Sequence, residues 1–195
     1  MKVTAFTDHE LIALYLDGNE RAFEELLSRH QQKIYTTVYL FVKDQDLADD
    51  IFQEVFIKII DTLRRGKYNH EGKFVQWAMR IAYNMCVDYF RRNKRKTTIS
   101  ATVNDEFDLF KIIPMTDDNA EDMIMKSQTH FKIRQLVDML PAEQKEVVIL
   151  RHFADMSFKE ISGLTRVSIN TALGRMRYAL INIRRMVEEK EIILQ

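Results

Sequence analysis

The sequence predicts an all-α protein in which a flexible linker joins two small helical domains. Apolar residues recur at three- and four-residue steps along most of the 195 residues, which is the periodicity of amphipathic helices. Only five glycines and two prolines are present, so long helices with few tight turns are expected. Residues 97–119 lack this periodicity and are rich in Thr, Ser, Asn and Asp. We interpret this stretch as the linker between domains at residues 1–96 and 120–195.

The first domain is predicted to begin with three amphipathic helices. Thr7 or Asp8 is the expected N-cap of a short first helix, and Asn19 is that of a second. Asp44 or Asp46 is the expected N-cap of a third. An apolar stripe follows that cap: Leu47, Ile51, Val55, Ile59 and Leu63. Since such a stripe must be buried, the three helices are expected to pack together.

A fourth helix is predicted from Phe74 to about Arg92, after a loop at residues 65–73 that contains two glycines. Its spacing predicts two faces. The expected core face consists of Phe74, Trp77, Ile81, Met85 and Tyr89. The expected outward face consists of Lys73, Gln76, Arg80, Tyr83, Asn84, Val87 and Arg91. The single cysteine, Cys86, is interpreted as a packed core thiol.

The second domain contains the pattern of a helix-turn-helix. Ser157 and Glu160 form a capping-box sequence that begins a short helix, residues 158–164. After a brief turn, Ser168 can cap a longer helix from Ile169 to about Val187. In a helix-turn-helix, this second helix enters the major groove of DNA.

The long helix is expected to have a core face and a basic face. The residues predicted to point inward are Ile169, Ala172, Met176, Ala179, Leu180 and Ile183. Near its start, Asn170, Thr171 and Arg175 can reach base edges, and Arg175 can bond a guanine through two hydrogen bonds. The residues that suit phosphate contacts are Arg177, Arg184 and Arg185.

The formal net charge of zero conceals two blocks of opposite sign. Residues 1–63 carry six Lys/Arg and twelve Asp/Glu, whereas residues 64–99 carry ten Lys/Arg and two Asp/Glu. This polarity predicts two partners of opposite charge. The basic block also contains aromatic residues, and we expect it to bind a polyanion such as nucleic acid.

Several classes of protein are not expected. No apolar run of about 18 residues is present, and the first ten residues lack the order of a signal peptide. We therefore expect a cytoplasmic protein without membrane insertion, and a single cysteine fits a reducing compartment. The five histidines lack metal-ligand spacing, no glycine loop for phosphate is present, and no nucleophile has an evident base. We predict no enzyme activity, metal, cofactor or small-molecule substrate.

In three stretches the chain resembles a bacterial RNA polymerase sigma factor of the extracytoplasmic-function group (ECF, group 4) of the sigma-70 family. Residues 46–60, DLADDIFQEVFIKII, are similar to the family's segment that docks on the core enzyme. Residues 74–92 are similar to the segment that melts and reads the −10 promoter element. Residues 140–185 are similar to the domain that reads the −35 element. The order and spacing of these segments agree with the family over about residues 11–95 and 122–187. Two domains joined by a short linker are the form of the ECF group.

The resemblance implies a sigma region 2 four-helix domain and a sigma region 4 helix-turn-helix domain. The implied partners are core RNA polymerase, promoter DNA and an anti-sigma factor. The residues implied in core docking are Asp49, Asp50, Gln53, Glu54 and Phe56. Those implied in −10 recognition are Tyr68, Asn69, His70, Lys73, Gln76, Arg80, Tyr83, Asn84, Arg91 and Arg92. Those implied in −35 recognition are Ser168, Asn170, Thr171, Gly174, Arg175, Arg177 and Tyr178.

The chain departs from the family in the recognition helix. Many members have a Lys/Arg-Ser-Arg run where this chain has Leu173-Gly174-Arg175, so only Arg175 carries over. Two other functions remain open at this point. One is a stand-alone helix-turn-helix regulator with a helical effector or dimerisation domain, and the other is an adaptor that sequesters polymerase. Of the three, only a sigma factor would support initiation from a specific start site.

Overall fold

The computed structural model describes residues 5–69, 72–96 and 132–189, with the side chains of residues 94–96 excepted. All regular secondary structure in these ranges is helical, and the helices form two units, one at each end of the chain. The all-α prediction with two helical domains is therefore confirmed. The predicted linker, residues 97–119, lies outside the described residues, so its two boundaries stay a prediction.

The first unit contains four helices: α1 (Asp8–Leu16), α2 (Glu20–Val42), α3 (Gln45–Arg64) and α4 (Phe74–Lys96). Local hydrogen bonds define where they begin. Thr7 caps α1 in a capping box with Glu10, and the Asp44 carboxylate caps α3 by accepting from the backbone N–H of Leu47 at 2.8 Å. Asn19 occupies the N-cap of α2 in an extended conformation without a side-chain bond. The sequence had left two candidates for the first and third caps, and the structure selects Thr7 and Asp44.

The core of the first unit lies between α2 and the other three helices, which all pack against it. Leu26, Ile34 and Leu40 of α2 are among its fully buried side chains. The predicted stripe of α3 is buried at Ile51, Val55, Ile59 and Leu63, while Leu47 is half-buried at the first turn. Burial of one such aliphatic side chain contributes roughly 1.5–3 kcal/mol, so these helices depend on one another for stability.

The buried face of α4 differs from the prediction. Phe74 is buried as predicted, but Trp77, Ile81, Met85 and Tyr89 are only half-buried. The other buried residues of the helix are Ala78, Met79, Ala82, Tyr83 and Cys86. Two of them are alanines, whose small side chains allow close approach to α2 and α3, and the larger apolar residues then flank the contact.

The burial of Tyr83 is the difference between prediction and structure that matters most for function. Its assignment to the outward face is wrong, because its ring is 6% exposed and packs edge-on against Phe41 at a centroid distance of 5.5 Å. An edge-to-face aromatic pair is a stable packing arrangement for the core. Tyr83 therefore belongs to the core of the first unit and not to its surface.

The second unit contains a helix at residues 132–138 (α5), α6 (Ala142–Val148), α7 (Phe158–Thr165) and α8 (Ile169–Glu189). One π-helical turn, Ile149–Phe153, extends α6. The capping box at Ser157 is confirmed: the Glu160 carboxylate accepts from the backbone N–H of Ser157 at 2.8 Å. Helix α7 ends at Thr165. The next residue, Arg166, is its C-cap, and its left-handed backbone (φ 58°) makes the tight turn towards α8.

The buried face of α8 is narrower than predicted. Ala172, Met176 and Ala179 are buried as expected, and Ile183 is half-buried. The prediction is wrong for Ile169 and Leu180, whose side chains are 44% and 52% exposed. Among the described helices, α8 packs mainly against α6 and α7, which together cover only the strip on which the alanines lie.

We expect Cys86 to be unreactive in the native protein. Burial raises the pKa of its thiol to about 12, so the folded state keeps it protonated at pH 8.5, where a substantial fraction of an unfolded cysteine is thiolate. A raised folded-state pKa stabilises the fold below the unfolded value near 9, and this contribution disappears as pH rises towards 12.

The measurement is iodoacetamide labelling at pH 8.5 followed by mass spectrometry, with and without urea. Cys86 is the single cysteine, so the stoichiometry reports on it alone. Labelling should be at least about 100-fold slower in the native protein than in urea, because the thiolate forms only on opening. Equal rates in the two conditions would contradict this prediction.

Candidate protein and nucleic-acid interfaces

An acidic surface with one apolar residue at its middle lies on the exposed side of α3. Asp50, Gln53 and Glu54 are all exposed, as expected for a docking surface. Ile57 lies seven, four and three residues after them and is 62% exposed. Residues at those spacings share one side of a helix, so Ile57 is surrounded by polar groups. Sequence reasoning missed Ile57, although an apolar residue out of phase with the buried stripe was the available signal.

Asp49 has a different environment from Asp50. It is half-buried and accepts a hydrogen bond from the hydroxyl of Tyr35 on α2. Burial, followed by the bond and charge of Asp49, raises the pKa of Tyr35 above its usual range. The Tyr35 ring also packs edge-on against Phe52 at 5.4 Å, and Phe52 packs against the half-buried Phe56 at 4.8 Å. Asp49 and Phe52 therefore hold α3 to α2 through Tyr35, and Phe56 packs on Phe52 from the next turn of the same helix.

The loop before α4 ends in an aromatic cluster. The ring of Tyr68 lies 4.5 Å from that of Trp77 and 6.1 Å from that of Phe74, and Phe74 is also 5.6 Å from His30. Tyr68 and Trp77 are both half-buried, so part of each ring faces solvent. Asn69 is exposed, whereas His70 lies outside the described residues.

A basic stripe runs along the exposed side of α4. Lys73, Arg80, Asn84 and Arg91 are separated by seven, four and seven residues, and all four are exposed. That spacing returns to one side of the helix, and 18 residues extend about 27 Å along the axis. Arg92 is exposed beside it, while Gln76 is half-buried. The structure thus brings together half of the predicted set in and beside this stripe, without Tyr83.

The first turn of α8 uses part of the predicted DNA-binding set for its own cap. The hydroxyl of Ser168 accepts from the backbone N–H of Thr171 at 3.0 Å and lies 2.8 Å from the Thr171 hydroxyl. Capping by Ser168 is confirmed. Ser168 and Thr171 are both exposed, but their hydroxyls contact each other in the cap. Asn170 is an exposed polar side chain of the same turn that takes no part in the cap.

Arg175 lies on the side of α8 that faces α6. Its guanidinium is 3.6 Å from the carboxylate of Glu146, and both side chains are about three-quarters buried. About two turns further along α8, the side-chain amide of Asn182 donates a hydrogen bond to the side-chain oxygen of Gln144 on α6 at 2.8 Å. These contacts anchor α8 in its unit. They separate Arg175 from the exposed side, which consists of Asn170, Leu173, Arg177, Tyr178 and Ile181.

The exposed side of α8 has two further features, an open backbone beside an apolar residue and a groove. Leu173 is 43% exposed on the side opposite α6, and Gly174 beside it has open space around it, since an added Cβ would meet no atom within 4 Å. An open groove of about 460 Å³ begins at Leu173 and follows the helix. Its lining residues are Phe158, Leu173, Met176, Arg177, Leu180, Ile181 and Arg184.

Within residues 5–69, 72–96 and 132–189, no three His, Cys, Asp or Glu side chains are grouped as metal ligands would be. No helix of those ranges has the length and apolar character needed to cross a bilayer.

Two protein-family models match the chain, in the order that the sequence resemblance predicts. The model described as Sigma-70 region 2 matches residues 26–96, and the model described as Sigma-70, region 4 matches residues 130–177. Together they cover more than half of the chain. The first match contains the acidic surface and the basic stripe, and the second contains α7 and the first half of α8.

Curated relatives match over most of their lengths. The RNA polymerase sigma-H factor of Pseudomonas aeruginosa is 25% identical over 176 residues, which is 89% of this chain and 90% of that protein. The ECF RNA polymerase sigma factor SigW of Bacillus subtilis is 26% identical, with 82% of this chain and 85% of that protein aligned. The ECF RNA polymerase sigma-E factor of Escherichia coli K12 is 24% identical over 87% and 88% of the two chains.

Solved structures share the fold. CnrH, in complex with the cytosolic domain of CnrY, has a TM-score of 0.60 and 21% identity, with 93% of this chain and 97% of CnrH covered. The sigma factor RpoE of Bartonella quintana, in complex with the anti-sigma factor NepR, has a TM-score of 0.61 and 15% identity, covering 85% and 96% of the two chains.

The different environments of two neighbouring carboxylates lead to a prediction about stability. Asp49→Asn should lower the free energy of unfolding of the first unit by about 1 kcal/mol, because it weakens the hydrogen bond from Tyr35. Asp50→Asn is the matched control and should leave stability within about 0.5 kcal/mol, because Asp50 is exposed. Urea denaturation followed by circular dichroism measures both. Equal stabilities of the two variants would show that the Tyr35 bond contributes nothing.

Proposed function

The chain belongs to the extracytoplasmic-function group of the sigma-70 family of RNA polymerase sigma factors, and we propose that three of its surfaces divide the steps of promoter recognition. Sigma factors are non-catalytic subunits of RNA polymerase. This chain directs promoter-specific transcription initiation through its region 2 and region 4 domains. The observation that carries this conclusion is the presence of both regions, in order, in one chain.

The acidic surface of α3 is the proposed docking site for core RNA polymerase. Exposed carboxylates at Asp50 and Glu54 would attract a basic partner and raise the rate of association. Ile57 would supply the apolar contact that slows dissociation, since binding energy concentrates in central residues protected from water by a polar rim. Asp49 and Phe56 support this surface from its edge, through Tyr35 and Phe52.

The basic stripe of α4 and the loop before it form the proposed reader of the −10 element. Arg80, Arg91 and Arg92 are placed to contact phosphates, and Asn84 lies between two of them with an amide that can hydrogen-bond a base edge. When the strands separate, an unpaired base needs a stacking surface or an enclosed pocket. The half-exposed rings of Tyr68 and Trp77, with Asn69 and His70 of the same loop, are the proposed surface for it.

The exposed side of α8 is the proposed reader of the −35 element. Asn170 and Arg177 are the polar side chains best placed for base or phosphate contacts, and Tyr178 extends the surface. Gly174 leaves room for close approach of the backbone to DNA. We assign Arg175 mainly to anchoring α8, because Glu146 holds its guanidinium on the other side.

Other features of the proposed function follow from the family. An anti-sigma factor is a proposed partner, since CnrH and the Bartonella RpoE, which share this fold, were solved with CnrY and with the anti-sigma factor NepR. Because the core enzyme and the promoter are both inside the cell, the proposed place of action is the cytoplasm. No cofactor or small-molecule substrate is needed for this role.

The deciding experiment is run-off transcription with purified core RNA polymerase. Core alone, core with the full chain, and the chain alone are compared on native promoters of the source genome. The proposed function predicts defined start sites with core and chain together. A stand-alone regulator would bind DNA without producing such start sites, so the absence of initiation on every native promoter would overturn the proposal.

Charge reversal on α3 should weaken core binding without unfolding the domain. Asp50→Arg or Glu54→Lys is expected to reduce affinity for core at least tenfold, because it repels a basic partner. Ile57→Ala should reduce it about threefold or more by removing the central apolar contact. Surface-immobilised core measures the affinities, and circular dichroism checks folding. Glu24→Arg, an exposed reversal on α2, is the matched control; wild-type affinity in the α3 variants would contradict the docking role.

Two substitutions on α4 should separate base reading from phosphate binding. Asn84→Ala is expected to change the relative use of promoters that differ in the −10 element. Arg91→Ala should weaken all promoters about equally and lower the salt dependence of binding by about one unit. Holoenzyme binding to a panel of promoter duplexes at several salt concentrations measures both. If Asn84→Ala weakens every sequence by the same factor, Asn84 does not read a base.

A further inference from the structure

Leu173 combines an apolar side chain with a position on the reading side of α8. It is the fifth residue of the helix, and 43% of it is exposed. Asn170 lies three residues before it and Arg177 four residues after it, so all three share one side of the helix. Within the described part of the second unit, Phe158 of α7 lines the same groove as Leu173, and 43% of the leucine is left accessible to a partner.

The neighbours of Leu173 leave it accessible to a large partner. Gly174 adds no side chain, and the space around its Cα is open. Asn170 and Arg177 place an amide and a guanidinium on either side along the helix, and both groups bond to nucleic acid. The local arrangement is therefore one apolar contact between two polar ones, on the second helix of a helix-turn-helix.

The major groove presents one apolar group among the base edges, which is the 5-methyl group of thymine. We propose that Leu173 contacts the methyl group of a thymine in the −35 element and is a specificity-determining residue of this chain. The proposal rests on the proposed function, because it requires that α8 read the −35 element. Many family members have a Lys or Arg at the position of Leu173. The proposal gives this difference a physical role, since a leucine favours contact with thymine, whereas a cation favours phosphate or guanine.

The groove that begins at Leu173 offers a second possible use of this leucine, as part of a surface for a protein. The position of Leu173 along α8 favours DNA over a protein as its partner. Base contacts come from the first turns of a recognition helix, where Leu173 lies. Leu180, which lines the same groove, is seven residues and about 10 Å further along the axis. Leu180 is also a leucine and is 52% exposed, so it provides a matched control.

The test replaces each thymine of the −35 element, one at a time, by deoxyuridine, which removes the methyl group and nothing else. Holoenzyme assembled from core and the full chain is bound to promoter duplexes found by run-off transcription. For the wild type, one thymine should be sensitive, with an affinity loss of about fourfold, which corresponds to about 0.8 kcal/mol for one buried methyl group. Leu173→Ala should reduce the affinity for the thymine duplex by about the same factor. Replacing that thymine by deoxyuridine should then cause no further loss of affinity in the variant.

Leu180→Ala should retain the wild-type sensitivity to the methyl group. Two results would overturn the proposal: indifference of the wild type to every replacement, or full methyl sensitivity in Leu173→Ala. If both leucine variants weaken protein binding and neither alters methyl sensitivity, the groove serves a protein partner and the proposal is wrong. Absence of any start site would instead overturn the proposed function, so the two failures are distinguishable.

Discussion

The close packing of α4 through small residues is the constraint on which the exposed basic stripe of the first domain depends. Ala78 and Ala82 have no accessible surface, and their size lets the helix approach its neighbours. Burial of that strip fixes the rotation of α4 about its own axis. The opposite side, with Arg80, Asn84 and Arg91, must then face solvent in one continuous line. A core contact between small apolar side chains thereby determines which polar groups are exposed, and these are the groups proposed to contact DNA.

The acidic half of this domain uses similar groups for different purposes. Asp44 caps α3, Asp49 accepts from Tyr35, and Asp50 is exposed. The first two carboxylates stabilise the helix and its packing, whereas the third is available to a partner. Ile57 then places an apolar side chain inside an otherwise charged surface. Charge can steer a partner to this surface over a Debye length of about 10 Å, and apolar contact can hold it there.

In the second domain, one side of α8 anchors the helix, and the other side is exposed and is the proposed DNA reader. Arg175 and Asn182 bond to Glu146 and Gln144 of α6, and the alanines of α8 fill the space beneath. With one side held in this way, the opposite side is presented in a fixed orientation. Preorganisation of that kind reduces the side-chain and backbone ordering that binding would otherwise require.

The sequence by itself determined the helices, most of their caps, the helix-turn-helix and the family, because these depend on residues within about four positions of one another or on motifs in a fixed order. It predicted the buried side of α3, but it did not determine the buried sides of α4 and α8. The sequence predicts Trp77 and Leu180 in the core and Tyr83 and Arg175 on the surface. In the structure Trp77 is only half-buried and Leu180 is exposed, whereas Tyr83 is buried and Arg175 is held against Glu146. The physical reason is that small residues such as Ala78 give a weak periodic signal yet allow the closest helix contacts. Those contacts form between segments far apart in the chain, so only the tertiary structure decided the faces.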